Sequence, residues 1–398
     1  MSVPIKQHLI DPEICIRCHS CEEACPVDAI THDDNNVVVD ADRCNFCMDC
    51  IAPCPTGSID NWRVVGTPYA LAEQFSWYEL PPQADLGENG GRPDSAIEAL
   101  EDEVERLLAQ AHQGVGGKAR APATASKPTV NLFNRGHPAV AKMQGNYRLT
   151  AQNADSDVRH IILDLGQTVF PVLEGQSVGV LAAGTDPAGQ PHPPRLYSIS
   201  SPRDGERPHT NNIALTVKRE PLGVCSNYLC DLEKGDEVQL TGPFGATFLM
   251  PNDPAARIVM ICTGTGSAPF RAFTMRRQRT VAEGGGQLVL FFGARTPDSL
   301  PYFGPLKKVP DSLLAKQLVF SRAPDRPKEY VQDRMLAQAE TLAPLLYDAA
   351  THVYVCGLKA MEAGVEAAFA RIATDAGLDW TAVKAEMRDS GRYHVETY

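Results

Sequence analysis

The chain has 398 residues, 43% of them hydrophobic, and its 37 basic and 49 acidic side chains give a formal net charge of −12. This length predicts two or three domains, and no apolar run approaches the roughly 20 residues that cross a bilayer. Residues 1–113 carry 6 basic and 21 acidic side chains, which excludes a nucleic-acid partner for this part and indicates either a solvated surface or an acidic face that docks on basic patches.

Eight of the twelve cysteines lie near the amino terminus in two copies of one spacing. Each copy has three cysteines at steps of three residues and a fourth, four residues later, that is followed by proline. Three thiolates at this spacing hold three corners of one iron–sulfur cube, and the fourth ligates the other cube. The pattern predicts two [4Fe-4S] clusters, one held by Cys15, Cys18, Cys21 and Cys54 and the other by Cys44, Cys47, Cys50 and Cys25.

Two other uses of these cysteines fit the spacing less well. A structural zinc site normally takes two separated C-x2-C hooks, often with histidine. A disulfide framework is typical of exported proteins, and residues 1–6 open no apolar signal segment. We therefore expect free thiols in the cytoplasm or an equivalent reducing compartment.

The cysteine repeat ends in a strand-like run at Trp62–Val65, so a ferredoxin-like two-cluster domain is predicted over residues 1–65. Residues 66–138 are rich in Pro, Gly, Ala and charge, which predicts a linker. Within it, the Gly, Ala and Pro content of residues 114–128 predicts a mobile tether between the two halves of the chain.

One helix is predicted inside the linker, at about residues 95–112. Ser95 and Glu98 form a capping box, and apolar residues then recur at helical spacing. This apolar stripe either packs on the protein's own domains or pairs with a second copy, which leaves a homodimer open.

The remainder of the chain divides into two patterns. Residues 139–252 contain short β-type runs broken by turns, such as His160–Asp164, which is typical of an antiparallel β-barrel. In residues 253–398, strands alternate with glycine turns and helices, as in Arg257–Cys262 and the turn after it, which is typical of a doubly wound parallel sheet. The predicted fold class is thus a multidomain α+β and α/β chain.

The barrel segment carries residues suited to a flavin nucleotide. Arg195 offers a planar, permanently charged group for a pyrophosphate, Tyr197 a ring for a flavin face, and Ser198 a hydroxyl for the flavin N5 edge. The backbone N–H groups of Gly223–Ser226 can bind the same pyrophosphate.

Five motifs together are more specific than any one of them. They are Arg195-Leu-Tyr-Ser198, Gly223-Val-Cys-Ser-Asn227, Thr263-Gly-Thr-Gly-Ser-Ala-Pro-Phe-Arg271, Cys356-Gly-Leu-Lys359 and Tyr393-His-Val-Glu-Thr-Tyr398. In this order they closely resemble the plant-type ferredoxin–NADP reductase family over residues 139–398. The resemblance implies an FAD-binding barrel over 139–252 and an NADP-binding sheet over 253–398.

The resemblance also implies roles for single residues. Tyr398 would stack on the flavin where the nicotinamide lands, Glu396 would approach the nicotinamide, and Cys356 would lie near the hydride path; with Ser198 these are the predicted catalytic residues. Residues 219–222 lack the tyrosine on which the FAD adenine rests in plant members, so what holds the adenine stays open. The implied FAD contacts are Arg195, Leu196, Tyr197, Ser198, Thr216, Val217, Lys218, Gly223, Val224, Cys225, Ser226, Glu396 and Tyr398.

A second set of residues suits NADPH as the co-substrate. The turn Thr263–Gly266, formed by Thr263, Gly264, Thr265 and Gly266, lies where a strand gives way to a helix and can hold a pyrophosphate. The hydroxyl, two cations and ring that suit the 2′-phosphate of NADPH are supplied by Ser321, Arg322, Lys328 and Tyr330. A site for NADH would instead have an acidic residue there. The residues predicted for the nucleotide's other contacts are Ser321, Arg322, Lys328, Tyr330, Gln332, Gly357 and Leu358.

The expected electron path runs from NADPH to FAD, then to the two clusters, and then to a separate protein. FAD is needed because a nicotinamide gives two electrons at once and each cluster takes one. The only Glu-x-x-His motif, Glu206–His209, contains proline, so no di-iron site is expected in this chain. A cluster domain in front of this reductase resembles the reductase components of benzoyl-CoA epoxidase systems, whose partner is a di-iron oxygenase. A general NADPH:ferredoxin oxidoreductase and a non-catalytic redox sensor are the alternatives.

Overall fold

The computed structural model describes residues 5–47, 49–51, 53–82, 120–186, 189–208, 210–281, 285–324 and 326–398. The helix predicted at about 95–112 lies outside these ranges. None of the helices in these ranges is both long and apolar enough to span a bilayer.

The ferredoxin region has two small antiparallel sheets over one apolar core. Strands β1 and β4 pair along their whole length, and β2 pairs with β3, so the strand predicted at the end of the cysteine repeat is confirmed. Half-buried cysteines pack against the core, which contains Ile30, Ile59 and Trp62. The elements are β1 (Ile5–Leu9), α1 (Ser20–Glu23), β2 (Ile30–His32), β3 (Val37–Val39) and β4 (Asn61–Val65).

The first part of the predicted linker continues the ferredoxin region. It forms a short helix, α2 (Leu71–Gln74), and Gln74 exchanges side-chain hydrogen bonds with the backbone of Val39. The side-chain amide of Asn36 donates to the carbonyl of Trp77 at 2.8 Å. Residues 69–81 therefore lie on the ferredoxin sheets.

The second domain is a six-stranded antiparallel sheet in the order β8-β7-β10-β5-β6-β9. An antiparallel bridge between Ile199 and Leu215 joins the end of β8 to β9 and closes the barrel. Alternate residues point inward, as in β5, where Ala139, Ala141 and Met143 are buried. The elements are β5 (Ala139–Arg148), β6 (Val158–Asp164), β7 (Ser177–Leu181), β8 (Arg195–Ser198), β9 (Asn212–Lys218), α3 (Val224–Asp231) and β10 (Glu237–Phe244).

The third domain is a five-stranded parallel sheet in the order β13-β12-β11-β14-β15 with helices on its faces. Its strands are continuous apolar runs because both faces are buried. The predicted fold class is confirmed. The elements are β11 (Arg257–Thr263), α4 (Ala268–Thr280), β12 (Leu288–Ala294), α5 (Phe303–Lys308), β13 (Leu314–Phe320), α6 (Val331–Ala337), α7 (Ala339–Tyr347), β14 (Thr351–Gly357), α8 (Lys359–Asp375), α9 (Trp380–Asp389) and β15 (Tyr393–Thr397).

The segment predicted to be a mobile tether is held in place over its described part, residues 120–128, so that prediction is wrong there. Arg120 donates to the carbonyl of Asp389 in the third domain. The Ser126 hydroxyl donates to the carbonyl of Asp60 at 2.7 Å, and Lys127 N–H donates to the Asn61 side chain. The segment thus joins the third domain to the ferredoxin region, because its side chains and backbone find partners on both.

A buried charge network fixes the ferredoxin region on the reductase half. Asp60, fully buried at the end of the cysteine repeat, accepts from the Arg203 guanidinium at 2.8 Å and pairs with Arg276. Arg203 also pairs with the buried carboxylate of Glu174 at 2.6 Å. These residues come from the ferredoxin region, the barrel and α4, so all three domains meet here.

Candidate functional site

The eight cysteines of the repeat are free thiols that form two groups. Burial, with a contribution from neighbouring Cys54 and Cys15, raises the pKa of Cys21 to about 12. Burial also raises the pKa of Cys44, to which Cys25 and Cys47 contribute. Cys54 therefore lies near Cys21, and Cys25 lies near Cys44, so the fourth cysteine of each run approaches the other run. Such crowded thiolates suit the positive charge of a cluster, and the full ligand sets stay a prediction.

The two crossing cysteines differ in their hydrogen bonds. Cys25 Sγ accepts from the backbone N–H of Ala29 at 3.2 Å. Cys54 Sγ lies 3.4 Å from the Ser58 hydroxyl and 3.8 Å from the Thr56 hydroxyl. Since a thiolate ligand can only accept, both hydroxyls are the donors.

A cleft of about 1670 Å³ lies between the barrel and the parallel sheet. Residues from β8, the turn before α3, the end of β11 and the carboxyl terminus converge on it. The predicted site residues that line it are Arg195, Leu196, Tyr197, Ser198, Thr216, Lys218, Gly223, Val224, Cys225, Ser226, Thr263, Gly264, Thr265, Ser321, Arg322, Lys328, Tyr330, Gln332, Leu358, Glu396 and Tyr398.

Four predicted site residues lie behind the surface of the cleft. Val217 points into the barrel core, and Cys356 is fully buried, so that burial raises its pKa. Gly266 packs on the backbone of Cys356, where an added Cβ would lie 2.2 Å from the carbonyl oxygen. Together with Gly357 these residues support the lining of the cleft, and Cys356 is the β14 partner of Glu396 in β15.

The carboxyl terminus is tied into the cleft. The backbone of Tyr398 bonds to Gly357 and Lys359, and its hydroxyl lies 2.7 Å from that of Thr265. The Ser198 hydroxyl donates to Glu396 Oε1 at 2.9 Å and so links the barrel to β15. Burial raises the pKa of the Tyr398 phenol, which therefore stays protonated.

The residues predicted for the 2′-phosphate lie together at one end of the cleft. Arg322 and Lys328 are exposed, and the Lys328 ammonium lies 4.7 Å from the centre of the Tyr330 ring. Arg295 also lines the cleft here and pairs with Asp155 at 2.5 Å. Arg295 follows β12 directly, a position at which a parallel sheet presents ligand-binding residues, and the sequence analysis missed it.

A charged cluster that the sequence analysis missed joins the barrel to the third domain beneath the cleft. Arg271 of α4 donates to the carbonyl of Ser200 at 2.8 Å and pairs with Glu206. Burial alone would raise the pKa of Glu206, but His160 and Arg271 lower it to about 2. Glu206 belongs to the Glu-x-x-His motif that contains proline, and its carboxylate makes this interdomain contact.

Leu222 stands in the shortened turn where the plant tyrosine is absent. It lines the cleft and is 96% exposed. The neighbouring Arg219 also lines the cleft and pairs with Asp157 and Asp231. An exposed apolar side chain at this edge is available to a planar base.

Comparison with known proteins matches two sequence families, a 4Fe-4S dicluster domain over residues 7–55 and an oxidoreductase NAD-binding domain over residues 260–367. The ferredoxin–NADP reductase of Thermosynechococcus vestitus is 38% identical over 289 residues, covering 68% of this chain and 75% of that protein. The chloroplastic leaf isozyme 1 of Arabidopsis thaliana is 37% identical over 290 residues, covering 68% and 79%. The chain belongs to the ferredoxin–NADP reductase family.

Among solved structures, the ferredoxin–NADP⁺ reductase of Plasmodium falciparum shares the fold, with a TM-score of 0.54, 24% identity, and coverage of 68% of this chain and 99% of that one. The chain is thus an oxidoreductase of this family that binds FAD, NADP(H) and two [4Fe-4S] clusters. The ferredoxin–NADP reductase relatives match 68% of the chain, and the dicluster match lies in its amino-terminal part.

The residues of the cleft fit these cofactors. Arg195 and the exposed Lys328 and Arg322 supply permanent positive charge for phosphates at two places in the cleft. Gly223 precedes α3 and Thr263 precedes the turn into α4, so backbone N–H groups at both helix starts face the cleft. The individual contacts of the predicted residues remain predictions.

Proposed function

We propose that this protein is the NADPH-dependent reductase of a two-component oxygenase, and that it passes electrons through its own two clusters to a separate di-iron oxygenase that epoxidises benzoyl-CoA. The observation that carries the electron path is the buried pairing of Asp60 with Arg203 and Arg276. It seats the cluster region on the reductase half, so electron transfer between them is intramolecular. The predicted compartment is the cytoplasm.

The residues of the cleft prepare hydride transfer. FAD, when bound, supplies the chemistry that accepts a hydride and gives up single electrons. Ser198 and Glu396 hold each other at 2.9 Å, which fixes the hydroxyl that the flavin edge needs and places a carboxylate for the nicotinamide amide. Tyr398 would cover the flavin and would move aside as the nicotinamide lands, while its hydroxyl contact with Thr265 limits where its ring rests.

The charge at the far end of the cleft sets the choice of nucleotide. Arg322 follows β13 and Lys328 lies six residues later, and both are exposed on the cleft. A 2′-phosphate is a dianion that two such cations bind, whereas the ribose hydroxyl of NADH leaves them unpaired. This supports NADPH as the electron donor.

The acceptor is supported by the arrangement of the chain. A two-cluster region in front of a ferredoxin–NADP reductase resembles the reductase components of benzoyl-CoA epoxidase systems, and the two clusters that the eight cysteines would hold supply single electrons of the kind a di-iron centre consumes. The relatives named ferredoxin–NADP reductase favour a second candidate, a general NADPH:ferredoxin oxidoreductase.

Turnover with a purified partner tests the proposal. Anaerobically prepared protein with eight irons is mixed with NADPH, the di-iron oxygenase, benzoyl-CoA and oxygen, and NADPH consumption is compared with epoxide formed. We expect consumption coupled to product and dependent on benzoyl-CoA. Reduction of dyes or ferredoxins without coupled product would favour the general oxidoreductase, and an absence of all turnover would favour a redox sensor.

A further inference from the structure

The two halves of the cysteine repeat differ in the loop that follows the fourth cysteine. Each residue of the second copy lies 29 positions after its counterpart in the first, so the two loops can be compared directly. The second copy carries two hydroxyls, a glycine and an acid at four positions where the first copy has other residues. The corresponding residues are Val27 and Thr56, Asp28 and Gly57, Ala29 and Ser58, and Thr31 and Asp60.

Two of these differences change the hydrogen bonds that the sulfur of the fourth cysteine receives. Ser58 and Thr56 place hydroxyls at 3.4 and 3.8 Å from Cys54 Sγ, whereas Cys25 Sγ has the backbone N–H of Ala29. Hydrogen bonds to ligand sulfur stabilise the more negative, reduced state of a cluster and so raise its reduction potential. The cluster that takes Cys54 has hydroxyl donors that the sequence of the first copy does not provide for Cys25.

The other two differences affect how the loop packs on the reductase half. Gly57 has φ +68° and packs on the reductase half, where an added Cβ would lie 2.2 Å from Cβ of Asn252. Asp60 enters the buried network with Arg203 and Arg276. By contrast Asp28, the counterpart of Gly57, is 88% exposed beside Arg43 of the ferredoxin region.

The surroundings of the two cysteine groups agree with this asymmetry. Cys54 lines a small cavity together with Asn252 and Arg276 of the reductase half. The cavity beside Cys25 and Cys44 is lined by ferredoxin residues such as His8 and Val39.

We propose that residues 56–60, the docking loop, make the cluster held by Cys15, Cys18, Cys21 and Cys54 the first electron acceptor. The loop holds that cluster against the reductase half, and the hydroxyls of Thr56 and Ser58 give it the higher reduction potential of the two. One electron is gained there for each one that leaves the reductase half, and no bond is broken. The direction of flow rests on the proposed function, whereas the difference in potential does not.

The potentials are tested by exchanging the loop chemistry between the copies. In an anaerobic redox titration followed by electron paramagnetic resonance, Thr56→Val with Ser58→Ala should lower the higher of the two steps. The ratio of reduced to oxidised cluster at a fixed potential should fall about fivefold to tenfold. The matched variant Val27→Thr with Ala29→Ser should raise the lower step instead. If the first variant moves the lower step, or moves neither, the assignment of the higher potential is overturned.

The docking role is tested by the rate at which the clusters are reduced. Gly57→Asp copies the residue of the first half, which tolerates positive φ, and adds a side chain that meets Asn252. After mixing with NADPH and rapid freezing, the resonance signal assigned to the Cys54 cluster should lose its fast phase. Asp28→Gly, the matched control, should keep it.

The bound iron and the titrated potentials of Gly57→Asp show whether the ferredoxin region has folded, and Gly57→Ala offers a milder change if it has not. A fast phase retained in a folded Gly57 variant, or lost in Asp28→Gly, overturns the docking role. Slow cluster reduction with normal flavin reduction in a Gly57 variant would not bear on the di-iron oxygenase proposed as the partner. The docking proposal and the proposed function therefore fail separately.

Discussion

The ferredoxin region meets the reductase half through buried charges, whereas the open cleft between the two halves of the reductase carries exposed ones. Asp60 and Glu174 are fully buried and Arg203 is 9% exposed. At the cleft, Arg322 and Lys328 stand in solvent. Charges that are buried and paired hold a single arrangement, and charges left in water are available to a ligand.

The difference indicates which contact moves during function. A mobile ferredoxin domain would need an interface that opens, yet opening this one would return Asp60, Arg203 and Arg276 to separate solvation and release the segment at Ser126. The cleft must open because NADPH enters and NADP⁺ leaves. The chain therefore keeps its clusters docked and its nucleotide site accessible.

The largest effect is expected from breaking the buried network. Asp60→Asn removes the charge that Arg203 and Arg276 share and leaves Arg276 uncompensated, which should cost about 3–5 kcal/mol. Calorimetric unfolding should show the ferredoxin region melting separately and earlier, and small-angle scattering should show a larger radius of gyration. An unchanged single transition would show that the network does not hold the two parts together.

The contact beneath the cleft should weaken in acid. The pKa of Glu206 is about 2 in the folded protein against 4.5 normally, because His160 and Arg271 outweigh the effect of burial. A lowered pKa stabilises the folded state fully above about pH 4.5, and this stabilisation, about 2–3 kcal/mol, is lost as pH falls toward 2. Burial also lowers the pKa of His160, so its protonation destabilises the fold in the same direction below about pH 6.5.

The pH effect is measured as a difference between two proteins. Wild type and Glu206→Gln are unfolded thermally at several pH values, and the difference in midpoint cancels the loss of clusters in acid that both share. It should be constant above about pH 6.5, where His160 is neutral in both proteins, and shrink below about pH 4.5 as Glu206 is protonated. A difference that keeps growing below about pH 4.5 would contradict the assigned role of Glu206.

A smaller, ligand-specific effect is expected at the exposed charges of the cleft. Arg322→Ala should raise KM for NADPH roughly 10- to 100-fold, because a charge-assisted contact to the 2′-phosphate is lost. KM for NADH should change little, since NADH lacks that phosphate. Arg326→Ala, an exposed arginine four residues away that does not line the cleft, is the control. Equal effects on the two nucleotides would remove the case for a phosphate site at Arg322.

Features with a local signal were predictable from the sequence. The cysteine spacing located both clusters, and apolar runs such as Ile258–Cys262 located the strands of the sheets. The five motifs predicted that Ser198, Glu396 and Tyr398 lie in one site, and all three line the cleft although they are far apart in the chain.

Features that depend on distant partners were not predictable. Asp60 and Arg203 are 143 residues apart, and the sequence around neither residue indicates that the two side chains pair. The composition of residues 120–128 suggests mobility, yet three domains supply hydrogen-bond partners for this stretch. The sequence shows Glu206 only as part of a Glu-x-x-His motif, whereas its interdomain contact depends on Arg271 in another domain.

The smallest effect is expected at the rim of the docked interface. Lys127 and Glu13 form an ion pair at 2.5 Å between the reductase-side segment and the ferredoxin region, but their side chains are 38% and 48% exposed. Water screens such a pair, so Lys127→Met should change stability by less than about 1 kcal/mol. Its unfolding should remain a single transition in which the ferredoxin region does not separate. A loss as large as that of Asp60→Asn would mean that the rim, rather than the buried network, holds the clusters on the reductase, and the contrast between the two interfaces would then fail.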